Sequence, residues 1–138
     1  MHITLESDYA VRIVHCLTVH QTRMDAKAIA QETGVTLRFS LKILRKLVSG
    51  GLVRSYKGTK GGYELARPAE EISLADVIET VEGPYALARC VSEEYPYNNH
   101  PNTTFCGVCQ FRDIYRDISQ EVRQRLSAVK FSRFIPPQ

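Results

Sequence analysis

The chain has 138 residues, of which 43% are hydrophobic, with four cysteines and a formal net charge of +3. That length suits one domain that buries a core without cross-links. No apolar run reaches the roughly 20 residues of a membrane span, and no basic, apolar leader opens the chain, so a cytoplasmic protein without a membrane partner is expected. Residues 1–67 carry 11 Lys/Arg and 5 Asp/Glu, a net +6, whereas residues 68–138 carry 7 and 10, a net −3. The N-terminal half is therefore expected either to bind a polyanion or to present a solvated basic face.

The first predicted helix covers about residues 6–20, where apolar residues recur at three- and four-residue spacing. Cys16 falls on this apolar stripe and is expected to be a small buried core residue. Asp8 and His15 lie on the adjoining face. This helix is thus expected to contribute both to the core and to a polar surface.

A helix-turn-helix is predicted next. A short helix over residues 26–32, a turn at Gly34 and a second helix over residues 37–49 match the length and spacing of that unit. Asp25 and Thr36 are placed to cap the two helices. Two short strands, over residues 52–56 and 62–65, then flank a Gly-rich turn and predict a β-hairpin wing. The fold class is therefore mainly α with a small β-hairpin wing.

The second helix of this unit carries a polar stripe opposite its core face. Arg38, Lys42 and Arg45 recur at i, i+4 and i+7, as the cations of a recognition helix should. The turn of the wing, KGTKGG, lacks the GxxxxGK(S/T) spacing of a phosphate loop, which excludes nucleotide binding by that motif. The predicted DNA contacts are Thr36, Arg38, Ser40, Lys42, Arg45, Lys57, Thr59 and Lys60.

The remainder of the chain predicts a capped helix, a long loop and a final helix. Ser73 and Asp76 have capping-box spacing, and Gly83 ends that helix. We predict a winged helix-turn-helix domain over residues 1–83, a cysteine-bearing loop over 84–107, and a long C-terminal dimerisation helix with its tail over 108–138. The apolar seam of the last helix, which is predicted over about residues 108–130, consists of Phe111, Tyr115, Ile118, Val122, Leu126 and Val129.

Three thiols, Cys90, Cys106 and Cys109, lie in or at the end of the loop. In a reducing compartment, ligand or sensor cysteines are expected rather than structural disulfides. A thioredoxin-like pair is disfavoured because the CxxC sequence lacks the accompanying βαβ pattern. The residues alone leave three kinds of site open: an iron-sulfur cluster, a zinc site of the Cys3His type, and metal-free or redox-active thiols.

The order of these motifs resembles the Rrf-two family of bacterial winged-helix regulators. The similarity starts with SDYAVRIV, continues through GVTLRFSLKILRKLVSGGLV, the wing KGTKGGYEL and ISLADVIETVEG, and finishes with a cysteine loop before a long helix. It covers almost the whole chain. The resemblance implies a regulator rather than an enzyme, which binds double-stranded DNA as a homodimer on a pseudo-palindromic operator.

The resemblance also implies a cofactor. Cluster-binding members of the family hold a 2Fe-2S or 4Fe-4S cluster through three cysteines and one other ligand. The matching metal ligands here are Cys90, Cys106, Cys109 and Asp8, with Asp8 supplied by the other subunit, and His15 and His100 are competing fourth ligands.

The function implied is that of a transcriptional repressor. Its operator affinity is expected to depend on a cluster that senses redox state, nitric oxide or iron-sulfur status. Two alternatives stay open: a metal-free or thiol-responsive regulator that binds DNA with a protein partner, and a zinc-stabilised DNA-binding module.

Overall fold

The architecture is that of a helical domain with one two-stranded hairpin, described for residues 3–92 and 110–137 of a computed structural model. Within these residues the helices are α1 Leu5–His20, α2 Ala26–Thr33, α3 Leu37–Ser49, α4 Leu74–Glu82 and α5 Gln110–Ala128; the strands are β1 Val53–Tyr56 and β2 Gly62–Leu65; and short 3-10 turns cover Ala69–Glu71, Arg89–Val91 and Phe131–Phe134. The predicted fold class, mainly α with a β-hairpin wing, is confirmed. No helix in the described ranges is long and apolar enough to cross a bilayer.

Side-chain caps determine where the first four helices begin. Thr4, Asp25 and Thr36 each accept a hydrogen bond from the backbone N–H three residues further on, at 3.2, 2.8 and 3.3 Å. Ser73 and Asp76 form the predicted reciprocal capping box, at 3.1 and 2.8 Å. A cap of this kind contributes about 1 kcal/mol, and it is specified by local sequence. The predicted starts of α2, α3 and α4 therefore agree with the structure.

The core is built around α1, which packs against α2, α3, α4 and the C-terminal 3-10 turn. Apolar residues at three- and four-residue spacing on each helix supply it, because that spacing places them on one face. The fully buried members are Ala10, Ile13, Val14, Leu17, Ile29, Ile43, Leu44, Leu47, Ile72 and Val77, with Phe131 at 1% exposure.

The C-terminal helix ends earlier than predicted because the chain turns back to the core. The predicted end is at residue 130, but α5 ends at Ala128. Val129 O accepts a hydrogen bond from Leu74 N at 3.0 Å, and Phe131 N donates to Ile72 O at 2.9 Å. These two bonds replace the last helical turn and carry the Phe131 ring into the core.

The wing is joined to the segment between α1 and α2. Strands β1 and β2 are antiparallel, with Val53 opposite Leu65. Met24 N donates to Tyr63 O at 2.9 Å and Tyr63 N donates to Met24 O at 2.7 Å, which forms an isolated bridge beside β2. Gly62 lies against this bridge, and a methyl group at its Cα would lie 2.6 Å from Met24 O.

We predict that Gly62→Ala destabilises the protein more than Gly58→Ala. Both glycines have positive φ, at +143° and +93°, but no atom lies within 4 Å of a Cβ placed on Gly58. Alanine is strained by the positive φ at either position, but only at Gly62 does the added methyl group clash with Met24. Urea unfolding should show an extra loss of about 1–3 kcal/mol for Gly62→Ala, the cost of an overpacked site. Equal losses for the two variants would show that the Met24–Tyr63 bridge does not constrain the wing.

Candidate nucleic-acid interface and cysteine region

Helix α3 presents the predicted polar stripe to solvent. Arg38, Lys42 and Arg45 are exposed, and Thr36 is exposed at the N-cap. Glu6 of α1 accepts a hydrogen bond from Lys46 Nζ at 2.7 Å and lies 3.9 Å from Lys42 Nζ. This pairing ties α1 to α3 while the Lys42 side chain stays 58% exposed. The stripe is thus held on a buried scaffold and is open to a ligand.

Ser40 does not lie on this stripe. Its side chain is fully buried, and its hydroxyl donates to Val35 O at 3.5 Å. The reason is helical spacing: Ser40 precedes the buried Leu44 and Leu47 by four and seven residues, so it shares their face. A DNA contact by the Ser40 side chain is incompatible with this burial, and we leave it out of the proposed set.

Three apolar side chains of α3 are exposed beside the cations. Leu37, Phe39 and Leu41 are 39, 45 and 42% exposed, and the Phe39 ring meets Tyr9 edge-on at 6.1 Å. Their exposure was not predicted from the sequence, although the spacing of the buried residues of α3 already places all three outside its buried face. Apolar side chains on a recognition helix contact the thymine methyl group in the major groove.

The wing tip carries Lys57, Thr59 and Lys60, all exposed as predicted. Arg23, which was not predicted from the sequence, contacts this tip and holds it in place. Its guanidinium carbon lies 3.3 Å from the centroid of the Tyr56 ring, and its Nη1 donates to Lys60 O at 3.0 Å. Arg23 precedes Met24, so the bridge and this stack hold the hairpin from the same segment.

The cysteine region is described in part. Cys90 lies in the 3-10 turn after α4 and is half-buried, and its carbonyl oxygen accepts a hydrogen bond from Arg112 Nε of α5 at 3.0 Å. Cys106, Cys109 and His100 lie outside the described residues. Cys90 is therefore held against the first turn of α5, and Gln110, where that helix begins, directly follows Cys109 in the sequence.

The two candidate fourth ligands on α1 have different surroundings. The Asp8 side chain is 44% exposed and pairs with Arg12 at 3.0 Å. His15 is exposed, and its ring meets Phe134 edge-on at 5.9 Å. A carboxylate paired with an exposed arginine exchanges partners at little cost, since surface pairs contribute at most about 1 kcal/mol.

Cys16 is buried as expected, at 6% exposure, but it does more than fill space. Its thiol donates to Glu32 Oε2 at 2.8 Å, and His20 Nε2 lies 2.6 Å from the same oxygen. Burial, together with the hydrogen bond to the Glu32 carboxylate, raises the pKa of Cys16 to about 12. The hydrogen bond from Cys16 and the nearby His20 lower the pKa of Glu32. The thiol is thus protonated and the carboxylate ionised at neutral pH.

Comparison with known proteins identifies the family. The Rrf2 (Rrf-two) family model, described as an iron-dependent transcriptional regulator, matches residues 3–137. The chain belongs to the Rrf2 family. An HTH-type transcriptional regulator of Mycobacterium tuberculosis is 37% identical over 111 residues, which cover 78% of this chain and 68% of that protein.

Two solved structures share the Rrf2 fold. CymR, the global cysteine regulator of B. subtilis, superposes with a TM-score of 0.74 at 21% identity, covering 99% of both chains. IscR of T. potens gives a TM-score of 0.72 at 19% identity, covering 96% of this chain and 84% of that one. The protein is accordingly a winged-helix, DNA-binding transcriptional regulator and not an enzyme.

We predict that Arg23→Lys weakens DNA binding although it keeps the charge. The compact ammonium group of lysine cannot stack on the Tyr56 ring as the planar guanidinium does and donate to Lys60 O at the same time. The loss of a cation–π contact and one hydrogen bond should reduce affinity about three- to tenfold, measured by fluorescence anisotropy at several salt concentrations. The slope of affinity against salt should stay unchanged, and amide exchange at Tyr63 should speed up. Wild-type affinity would mean that charge alone matters at this position.

Proposed function

We propose that this Rrf2 regulator is a homodimeric repressor whose affinity for a pseudo-palindromic operator depends on an iron-sulfur cluster. The observation that carries the proposal is the contact between Cys90 and α5. Arg112 holds the Cys90 backbone beside the first turn of the helix that Cys109 immediately precedes. Two of the three cysteines are therefore linked to the start of α5, Cys90 through its backbone carbonyl and Cys109 as the residue before Gln110 in the sequence.

The DNA-reading surface consists of α3 and the wing. Arg38 and Lys42 are proposed to read base edges in the major groove, with Thr36 and Arg45 nearer to phosphates. The exposed lysines of the wing, Lys57 and Lys60, and the hydroxyl of Thr59 are proposed to contact the backbone. The net +6 of residues 1–67 supports this assignment because the other half of the chain is acidic.

The proposed dimer rests on an apolar face of α5 that is exposed in the part of the chain that the structure describes. Phe111, Ile114 and Ile118 follow at i, i+3 and i+7 and are 60, 52 and 38% exposed. Side chains of this size at helical spacing form a continuous stripe that a second helix covers well. A second copy of α5 is the natural occupant, since a palindromic operator requires two recognition helices.

The proposed ligands fit the cofactor by their chemistry. The thiolates of Cys90, Cys106 and Cys109 are soft donors suited to iron-sulfur clusters, and the carboxylate of Asp8 completes the set as one harder ligand. When bound, such a cluster supplies redox-sensitive and nitric-oxide-reactive iron. Cys90, Cys106 and Cys109 of one subunit would hold it, and Asp8 would come from the partner subunit.

Helix α4 supplies the mechanical link from this region to the DNA-reading helix. Glu79 of α4 pairs with Arg123 Nε of α5 at 2.6 Å. Thr80 packs directly against Gly50 at the end of α3, where a methyl group on the glycine would overlap the threonine side chain. Glu82 accepts hydrogen bonds from Thr4 and Ser7 at the start of α1. A shift of α5 is therefore passed to α1 and α3 through one rigid helix. On this basis we propose the division into a DNA-binding domain (1–83), a cluster loop (84–107) and a dimerisation segment (108–138).

The DNA assignment predicts different effects for Arg38→Ala and Lys60→Ala. With an operator selected from random DNA, Arg38→Ala should lower discrimination against a scrambled sequence by about 1–3 kcal/mol. Lys60→Ala should weaken both sequences alike and reduce the salt slope by about 1. The matched control is Arg133→Ala, an exposed cation on the C-terminal turn. If the control weakens binding as much as Lys60→Ala, the proposed footprint is wrong.

The cluster assignment predicts a spectroscopic loss together with a loss of switching. Wild-type protein reconstituted anaerobically with iron and sulfide should show thiolate-to-iron charge-transfer absorption. Cys106→Ser should lack this absorption and keep its salt-dependent nonspecific DNA affinity, and its operator affinity should be the same before and after treatment with iron and sulfide. Arg133→Ala again serves as the control and should retain both properties, since the C-terminal turn Phe131–Phe134 holds none of the proposed ligands. A colourless wild type that binds the operator only with a partner protein would support the thiol-responsive alternative instead.

A further inference from the structure

One group of metal-ligating side chains converges away from the loop thiols. Cys16 and His20 lie one turn apart on α1, and Glu32 projects from α2 between them. The Cys16 Sγ, His20 Nε2 and Glu32 carboxylate oxygens lie within 4.8 Å of one another. Both α1 side chains are directed at the same carboxylate, at 2.8 Å from sulfur and 2.6–2.7 Å from nitrogen.

We propose that Cys16, His20 and Glu32 bind a divalent ion of the Zn2+ class. A thiolate, an imidazole and a carboxylate are the donors that zinc takes, with one coordination position left open. The thiolate and carboxylate charges neutralise the ion. Binding releases the thiol proton to solvent, and the metal–sulfur bond replaces the hydrogen bond to Glu32.

The geometry requires only small movements. Zinc bond lengths of about 2.0–2.3 Å place tetrahedral ligand atoms about 3.3–3.8 Å apart, so the hydrogen-bonded pairs must open by about 1 Å. His20 and Glu32 have side chains that are 40 and 47% exposed, and rotation of these two provides that space. Cys16 is buried and stays in place. The exposed pair also leaves a path by which an ion can enter.

A second sulfur atom adjoins the site and connects it to the wing. Met24 Sδ lies 3.7 Å from Cys16 Sγ, and the Met24 backbone makes both hydrogen bonds of its bridge with Tyr63. An ion at this place would join the end of α1, the segment that carries Met24, and α2. We therefore expect metal binding to stabilise the attachment of the wing.

The test uses full-length protein in which Cys90, Cys106 and Cys109 are all replaced by Ser. Cys16 is then the one thiol left of the four, so any thiolate-to-cobalt charge-transfer band on Co2+ titration must come from it. The variants compared in this background are Cys16→Ser and His20→Gln. Both can keep a hydrogen bond to Glu32 but are poor ligands. The matched control is His15→Gln, which changes an exposed histidine on the same helix that does not belong to the proposed zinc site.

We expect the background and the His15→Gln control to bind one Co2+ with a thiolate band, to release it to Zn2+, and to gain thermal stability with Zn2+. Cys16→Ser should lose the band, and His20→Gln should bind at least tenfold more weakly, with neither stabilised by Zn2+. Circular dichroism checks that each variant is folded. Absence of a thiolate band in the folded background, or an unchanged affinity in His20→Gln, would overturn the proposal. Because the loop thiols are absent throughout, this outcome is separate from that of the iron-sulfur proposal.

Discussion

The burial of α1 is the constraint on which the other features depend. Seven of its residues are buried, and it packs against α2, α3, α4 and the C-terminal turn. A close-packed helix of this kind transmits displacement rather than absorbing it. The same helix carries Asp8, the buried Cys16 and His20, so the proposed cluster ligand and two ligands of the proposed metal site are held by one rigid element. Their positions relative to the recognition helix follow from this packing.

The recognition helix is oriented by its neighbours as much as by its own sequence. Glu6 of α1 forms an ion pair with Lys46, and Thr80 of α4 packs against Gly50 at the end of α3. The Glu6 contact reaches the edge of the cationic stripe, since Glu6 also lies 3.9 Å from Lys42 Nζ, while Arg38 stays exposed. In the proposed mechanism, moving either of these two contacts would change the angle at which α3 is presented to DNA. The wing is supported separately, through Arg23.

Much of this fold follows from local chemistry and was predictable. Caps at Asp25, Thr36 and Ser73 are formed by residues only three positions apart, so they are readable from the sequence. The end of α5 was not, because it depends on hydrogen bonds between residues 129–131 and 72–74, which are distant in the chain. The burial of Ser40 could be predicted from helical spacing, because Ser40 shares the face of Leu44 and Leu47. The contacts that Arg23 makes with the wing could not be predicted, since Tyr56 and Lys60 are more than thirty positions away in the chain.

By itself, the sequence determined the winged helix-turn-helix, the polarised charge and the three loop thiols, because each is written in neighbouring residues or in simple periodicity. It also placed Cys16 on the buried face of α1. Only the tertiary structure brought Glu32 of α2 to that thiol and to His20, and joined the adjoining Met24 to the wing. The reason is physical: periodicity tells which way a side chain faces along its own helix, whereas the partners that it meets are set by how separate helices pack.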